Sequence, residues 1–266
     1  MNPYTVVSVM LGMNRFHQKD ADHPFDMSAL DGYNTIWMPE LDEEERKCST
    51  LFYEALQGVE SARKATLSEI KDNFIFIFGR GTIGPSQEER LFEAWHSCMK
   101  YYGNDVNHVM IGKSFGAGDT MTALHKFKIY HRKPNVRRLI LIDGFLPPSR
   151  RRKIGKKVGK TWRFKIPPFV QNYNNIIQRT RGIQGARVVD NDANFVVTQD
   201  YLKKTMDNPV YFGYSDGYVR ELEVRHFNME EIVSAAKCID VHGVKMILRE
   251  AVAQTLFQIE RTAGVR

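Results

Sequence analysis

The segment Gly112-Lys113-Ser114-Phe115-Gly116 is the part of the chain best suited to covalent chemistry. It reads G-x-S-x-G and stands between an aliphatic run, HVMI at 108–111, and a helix-prone stretch, AGDTMTALHKF at 117–127. A strand that turns sharply into a helix strains the residue at the turn and lifts its side chain above the sheet. Glycines two residues to either side let the backbones approach closely. The free N–H groups at the helix start then face any negative charge that develops there. The chemistry is attack by the Ser114 hydroxyl, which needs a base because serine is a weak nucleophile at its own pKa. The G-x-x-x-x-G-K-[ST] spacing of a phosphate loop is absent, and so are H-E-x-x-H, C-x-x-C and D-x-D-x-D-G. The run G-R-G-T at 79–82 is too short for a dinucleotide fingerprint. Neither a metal nor a cofactor is expected.

The elements that must carry this turn are legible as alternating runs. Strands are predicted at 4–11 (YTVVSVML), 34–38, 73–78 (NFIFIF), 108–111, 138–142 (RLILI), 169–177 and 218–224. Helices are predicted at 43–70, 85–102, 115–131, about 228–238 and about 244–262. Ser86 and Glu89 form an S-x-x-E capping box for the second of these, and Asn228 and Glu231 are spaced to cap the fourth. Aliphatic strands alternating with helices predict an α/β fold, with a mostly parallel central sheet and helices on both faces. No repeat or linker divides the 266 residues, so one domain is expected.

With this strand–turn–helix context, the chain from about residue 70 to 240 resembles the α/β-hydrolase family. The resemblance implies a serine hydrolase, esterase- or lipase-like, that cleaves a carboxylic ester or thioester of a small-molecule or lipid acyl substrate. It implies an oxyanion loop at Phe78-Gly79-Arg80-Gly81-Thr82, with backbone donors from Phe115 and from Arg80 or Gly81. In most of the family the acid follows the strand after the excursion, but here no carboxylate follows 169–177 before Asp190. Pancreatic-type lipases carry the acid one strand earlier, and here that strand leads into Asp143. Asp143 is therefore the expected acid, with Asp190 and Asp192 as alternatives. The base should follow the last strand. His226 fits, and His242, in Val241-His242-Gly243, competes.

Charge marks a second region. The formal net charge is +7, yet from Gly144 to Val189 there is no Asp or Glu. That stretch holds 12 of the 38 Lys and Arg, leaving 26 against 31 acidic residues elsewhere. Its densest part, SRRRKIGKKVGKTWRFKIPPF at 149–169, is bracketed by proline pairs and predicts a loop-like, lid-like excursion at about 147–168. Arg150, Arg151, Arg152, Lys153, Lys156 and Lys157 are candidate anion-binding residues, with Trp162 and Phe164 available for apolar contact. An anionic surface is one expected partner of 149–165. The alternative reading is a non-catalytic protein of hydrolase fold that binds nucleic acid, anionic lipid or a protein through this segment. No nucleic-acid module signature accompanies the charge, which disfavours nucleic acid.

Composition excludes several classes. At 42% hydrophobic and 26% charged, the chain is neither disordered nor collagen-like. No segment approaches the ~18 apolar residues of a membrane span, and the start reads as a strand, not a signal peptide. Cys48, Cys98 and Cys238 are widely spaced and odd in number, as expected for reduced thiols in a cytoplasmic protein.

Overall fold

Apolar runs too uniform to leave a solvent face, such as FIFIF and RLILI, become the strands inside a seven-stranded sheet. The computed structural model describes residues 4–12, 30, 33–38, 41, 49–65, 73–81, 86–180, 182–206, 210–212 and 219–263. In chain order the elements begin with β1 (Thr5–Leu11), β2 (Asn34–Trp37), α1 (Thr50–Ala65), β3 (Phe74–Arg80) and α2 (Ser86–Tyr102). They continue with β4 (Asn107–Lys113), α3 (Ser114–Lys126), β5 (Asn135–Ile142), α4 (Arg151–Ile154), β6 (Gly155–Val158) and β7 (Thr161–Phe164). Then come β8 (Tyr173–Gln178), β9 (Asn194–Val197), α5 (Gln199–Thr205), β10 (Val210–Phe212), β11 (Val219–Glu221) and α6 (Met229–Ala235). The described chain closes with β12 (Ile239–Val241), β13 (Val244–Met246) and α7 (Leu248–Ala263).

The central sheet has the order β2-β3-β1-β4-β5-β8-β9, and every pairing in it is parallel. The expected α/β architecture is the one observed. Alternation along the strands feeds two cores. Val7, Val9, Phe76 and Phe78 face one side, where Phe52, Leu56, Ile232 and Val252 bring in α1, α6 and α7. Val6, Met10, Ile75 and Ile77 face the other, against Leu91, Trp95, Met121 and Leu124 of α2 and α3.

Strand order decides where a site can form. The chain leaves β1 toward β3 on one side and returns to β4 on the other. A crevice beyond the carboxyl ends of β1 and β4 follows from that reversal.

Several boundaries differ from expectation. A turn with Val170 N–H donating to Pro167 O (3.1 Å) delays the strand predicted at 169–177, so β8 starts at Tyr173. The strand predicted at 218–224 shortens to β11, which pairs antiparallel with β10 away from the central sheet. A hairpin, β12–β13, precedes the last helix. His242 and Gly243 form its turn with φ of 54° and 84°, the positive values that tight hairpin turns require. The Asn228 side chain donates to Glu223 O (3.1 Å) and does not cap α6. The Ser86 side chain of the expected capping box lies outside the described residues.

The basic excursion is structured. A 3-10 turn at Pro148–Arg150 leads into α4 and then the antiparallel hairpin β6–β7, which turns at Gly159 (φ 59°). No described helix is long and apolar enough to cross a membrane. Cys98 and Cys238 are buried free thiols, while Cys48 lies outside the described residues.

Candidate active site

Ser114 opens α3 directly at the end of β4, with φ 49°. That left-handed conformation is rare for a residue with a side chain and is held here by its surroundings. Both glycines of the motif are required by close approach. A Cβ on Gly116 would lie 2.3 Å from Met10 O, and one on Gly112 would lie 2.8 Å from Ala117 Cα.

The Ser114 Oγ lies 2.8 Å from His226 Nε2, and His226 Nδ1 lies 2.6 Å from Asp143 Oδ2. All three residues are nearly buried, at 6%, 5% and 0% exposure. Asp143 follows β5, and its N–H donates to Ile176 O (2.7 Å), which keys the turn to β8. Its carboxylate accepts three further bonds. Gln178 N (3.3 Å) and Gly185 N (2.8 Å) reach Oδ1, and Gln178 Nε2 (3.2 Å) reaches Oδ2. Every partner is an N–H group, so the carboxylate acts purely as an acceptor. The proton of the imidazole is thereby assigned to Nδ1, which leaves Nε2 to accept from the serine.

The His226 segment is tied down on both sides. Val224 N–H donates to Gln199 Oε1 (2.9 Å), Gln199 Nε2 donates to Leu222 O (3.0 Å), and Thr180 Oγ1 donates to Val224 O (2.5 Å). On the other side, Lys113, the residue before the serine, forms an ion pair with Glu230 (2.6 Å) at the start of α6. The Lys113 side chain is 8% exposed and that of Glu230 19%, so the pair is largely shielded from water.

The other candidate residues fall differently. Phe115 adjoins the serine, and its N–H belongs to the first turn of α3, where N–H groups have no intrahelical partner. Arg80 ends β3, which β1 separates from β4. Gly81 does reach the turn, since a Cβ there would lie 2.2 Å from Gly116 N. Its own N–H, however, donates to Leu11 O (2.7 Å) and so is committed within the fold. Strand order explains the difference: β1, not β3, neighbours β4. The residue this places beside the hydroxyl is Gly12, where a Cβ would lie 2.9 Å from Ser114 Cβ and 3.5 Å from its Oγ. The only sequence signal for Gly12 was a glycine at the end of the first strand.

Asp190 and Asp192 are exposed on the turn before β9. Asp190 accepts from Tyr173 Oη (3.1 Å) and from Asp192 N (3.1 Å). His242 belongs to its hairpin turn.

Of the basic candidates, Arg150 points inward. It pairs with Asp119 of α3 and with Glu88 of α2 (2.7 Å), so it anchors the excursion and presents no charge to an anion. Arg151 is half-buried, while Arg152, Lys153, Lys156 and Lys157 are exposed. Phe164 is fully buried, its ring packed at Gly144, so it is not the surface contact its setting predicts. Trp162 is half-buried against the same core.

An open cleft of about 660 Å³ reaches His226 and is lined by Thr180, Ile183, Gln199, Val224, His226 and Phe227 among others. Among the described residues, no group of three or more His, Cys, Asp or Glu is arranged to hold a metal ion. No family model matches the chain and no curated protein matches it, so the reading of this site rests on its geometry.

Proposed function

We propose that the protein is a serine hydrolase of the α/β-hydrolase type, cleaving a carboxylic ester or thioester through a Ser114–His226–Asp143 triad. The observation that carries this reading is the unbroken hydrogen-bonded series from hydroxyl to imidazole to carboxylate, beside an open cleft. The fold class, the strained serine at a strand–helix turn and the order Ser, Asp, His along the chain support it.

In this mechanism His226 Nε2 takes the Ser114 proton as Oγ attacks the acyl carbonyl. Asp143 keeps the ring oriented and stabilises the imidazolium. The oxyanion develops between the Phe115 N–H at the start of α3 and the end of β1 at Gly12. His226 then returns the proton to the leaving alcohol or thiol, and water resolves the acyl-enzyme by the same route in reverse. Loss of one oxyanion donor costs such a reaction about 3 kcal/mol.

A fluorophosphonate probe on the purified protein tests the proposal. Wild type is expected to label, Ser114→Ala to lose all labelling, and His226→Ala to label far more slowly. Wild type that labels no faster than Ser114→Ala would refute the reading.

A further inference from the structure

Three arginines from separate parts of the chain meet beside the acid of the Ser–His–Asp series. The end of β7 runs alongside the strip after Gly185: Phe164 N–H donates to Arg187 O (2.8 Å), and Val189 N–H donates to Phe164 O (2.9 Å). Phe164 and Val188 are both buried, so the two-residue period turns Arg163 and Arg187 together to the opposite face. Arg179 comes from the end of β8, and its Nη1 donates to Gly185 O (3.1 Å) and to Gln184 Oε1 (3.3 Å). Gly185 in turn donates its N–H to Asp143.

The charges of this group are unbalanced. Arg163 is held by a neutral amide, Asn191 Oδ1 (2.5 Å). Arg179 is held by a carbonyl and an amide. The Arg187 guanidinium has no hydrogen bond or ion pair with the described residues. Burial lowers the pKa of Arg179, and the guanidiniums of Arg187 and Arg163 lower it further, against an opposing pull from Asp143. Asp143 is the one carboxylate acting on Arg179 there, and it already serves His226, Gln178 and Gly185. The fold thus gathers three like charges with no free counter-charge among the described residues, in a stretch of 46 residues that contains no Asp or Glu.

We propose that Arg163, Arg179 and Arg187 form a phosphate-binding site that holds a phosphate group carried by the substrate, away from its scissile ester. Planar guanidinium forks match phosphate oxygens, and three of them suit a tetrahedral dianion. The site deepens the hydrolase reading by naming the substrate class, a phosphorylated acyl ester. Only that substrate clause rests on the hydrolase reading.

Calorimetric titration of the full-length protein with inorganic phosphate at low ionic strength tests the site. Saturable binding is expected, weakened about tenfold or more by Arg187→Gln and less by Arg187→Lys. Arg187 has no side-chain partner among the described residues to orphan, so its loss is expected to leave the fold intact, and a thermal melt checks this. Lys100→Gln removes the same charge from the last turn of α2, at the opposite end of the sheet, and leaves phosphate affinity unchanged. No saturable binding, or equal affinity in wild type, Arg179→Gln and Arg187→Gln, overturns the proposal. Two phosphate carriers then identify the source. A soluble short-chain acyl glycerol phosphate that competes with free phosphate marks a small-molecule ester. Phosphatidic acid vesicles, whose headgroup is a phosphate monoester, that compete in its place mark a lipid headgroup. Binding of a DNA oligonucleotide that is lost in Arg187→Gln, with no binding of free phosphate or phosphorylated ester, overturns the substrate site in favour of a nucleic-acid surface. Fluorophosphonate labelling judges the hydrolase reading separately: phosphate bound with Ser114 unlabelled keeps the anion site and removes the hydrolase.

Discussion

Ser114, Asp143 and His242 are the non-glycine residues with positive φ among the described residues. His242 is explained by its hairpin turn. The other two stand at the carboxyl ends of adjacent strands, β4 and β5, and are joined through His226. Strain of this kind costs roughly 1–3 kcal/mol per residue and persists where the surroundings over-determine it. Asparagine tolerates the same backbone region and has nearly the same shape as aspartate. Asp143→Asn is therefore expected to fold as wild type does. Its amide can no longer fix the Nδ1–H tautomer, so ester hydrolysis should fall by about 10³-fold or more. A cooperative melt at a lowered temperature, because the amide NH2 faces N–H groups where an acceptor stood, together with near-complete loss of kcat, measured with a chromogenic ester, is the expected pair of results. Retained kcat would remove Asp143 from the mechanism.

At the scale of elements, the ion pair between Lys113 and Glu230 links the strand that leads into Ser114 to the helix that follows His226. Breaking a shielded pair by removing one partner leaves a charge unsolvated and typically costs about 3 kcal/mol. Lys113→Met should lose about that much in urea denaturation, and Lys113→Met combined with Glu230→Leu should regain most of it. Equal losses in the single and double variants would show that the pair contributes nothing of its own. Elements were also the scale at which the sequence was most and least legible. Unbroken runs such as FIFIF and RLILI could only be strands buried on both faces, and G-K-S-F-G marked its own turn. Spatial order was not legible. The strand before β4 in sequence, β3, is not β4's neighbour in the sheet, so Gly81 is expected where Gly12 lies. The β12–β13 hairpin escaped because its turn is His-Gly, without the Asn-Gly or Asp-Gly that announces such turns. The basic excursion read as a loop because its many charges masked a two-residue alternation. In that alternation Phe164 points inward and Arg163 outward.

The whole molecule carries its own acid sensitivity. His108 lies in β4, fully buried, its ring edge-on to Trp95 and both its nitrogens without a hydrogen-bond partner in the described structure. Burial lowers its pKa to about 3. His125 is lowered to about 4, chiefly by burial, against the pull of its contact with Lys165 O (2.6 Å). Both rings are therefore neutral when folded and take up protons on unfolding below about pH 6.5. Stability from these groups is complete above that value and is lost as pH falls toward 4 and then 3. Glu54, raised to about 7 by burial, works in the opposite sense: its contribution is present below pH 4.5 and fades as pH rises through 7. His108→Phe removes one titration and fills the same space with apolar atoms. Its melting temperature should gain on wild type by roughly 5 °C between pH 6.5 and 4.5. Parallel melting curves over that range would contradict the assignment.

The partners in the site are distant along the chain: His226 lies 112 residues from Ser114 and 83 from Asp143. Contacts of such separation close only after the intervening chain has been organised. During synthesis Ser114, Asp143 and every strand of the central sheet leave the ribosome before His226 does. A nascent chain ending short of residue 226 therefore lacks the imidazole that the proposed mechanism requires. Under the proposed mechanism, order of synthesis acts as a safety catch, because the hydroxyl gains its base only after the central sheet has been made.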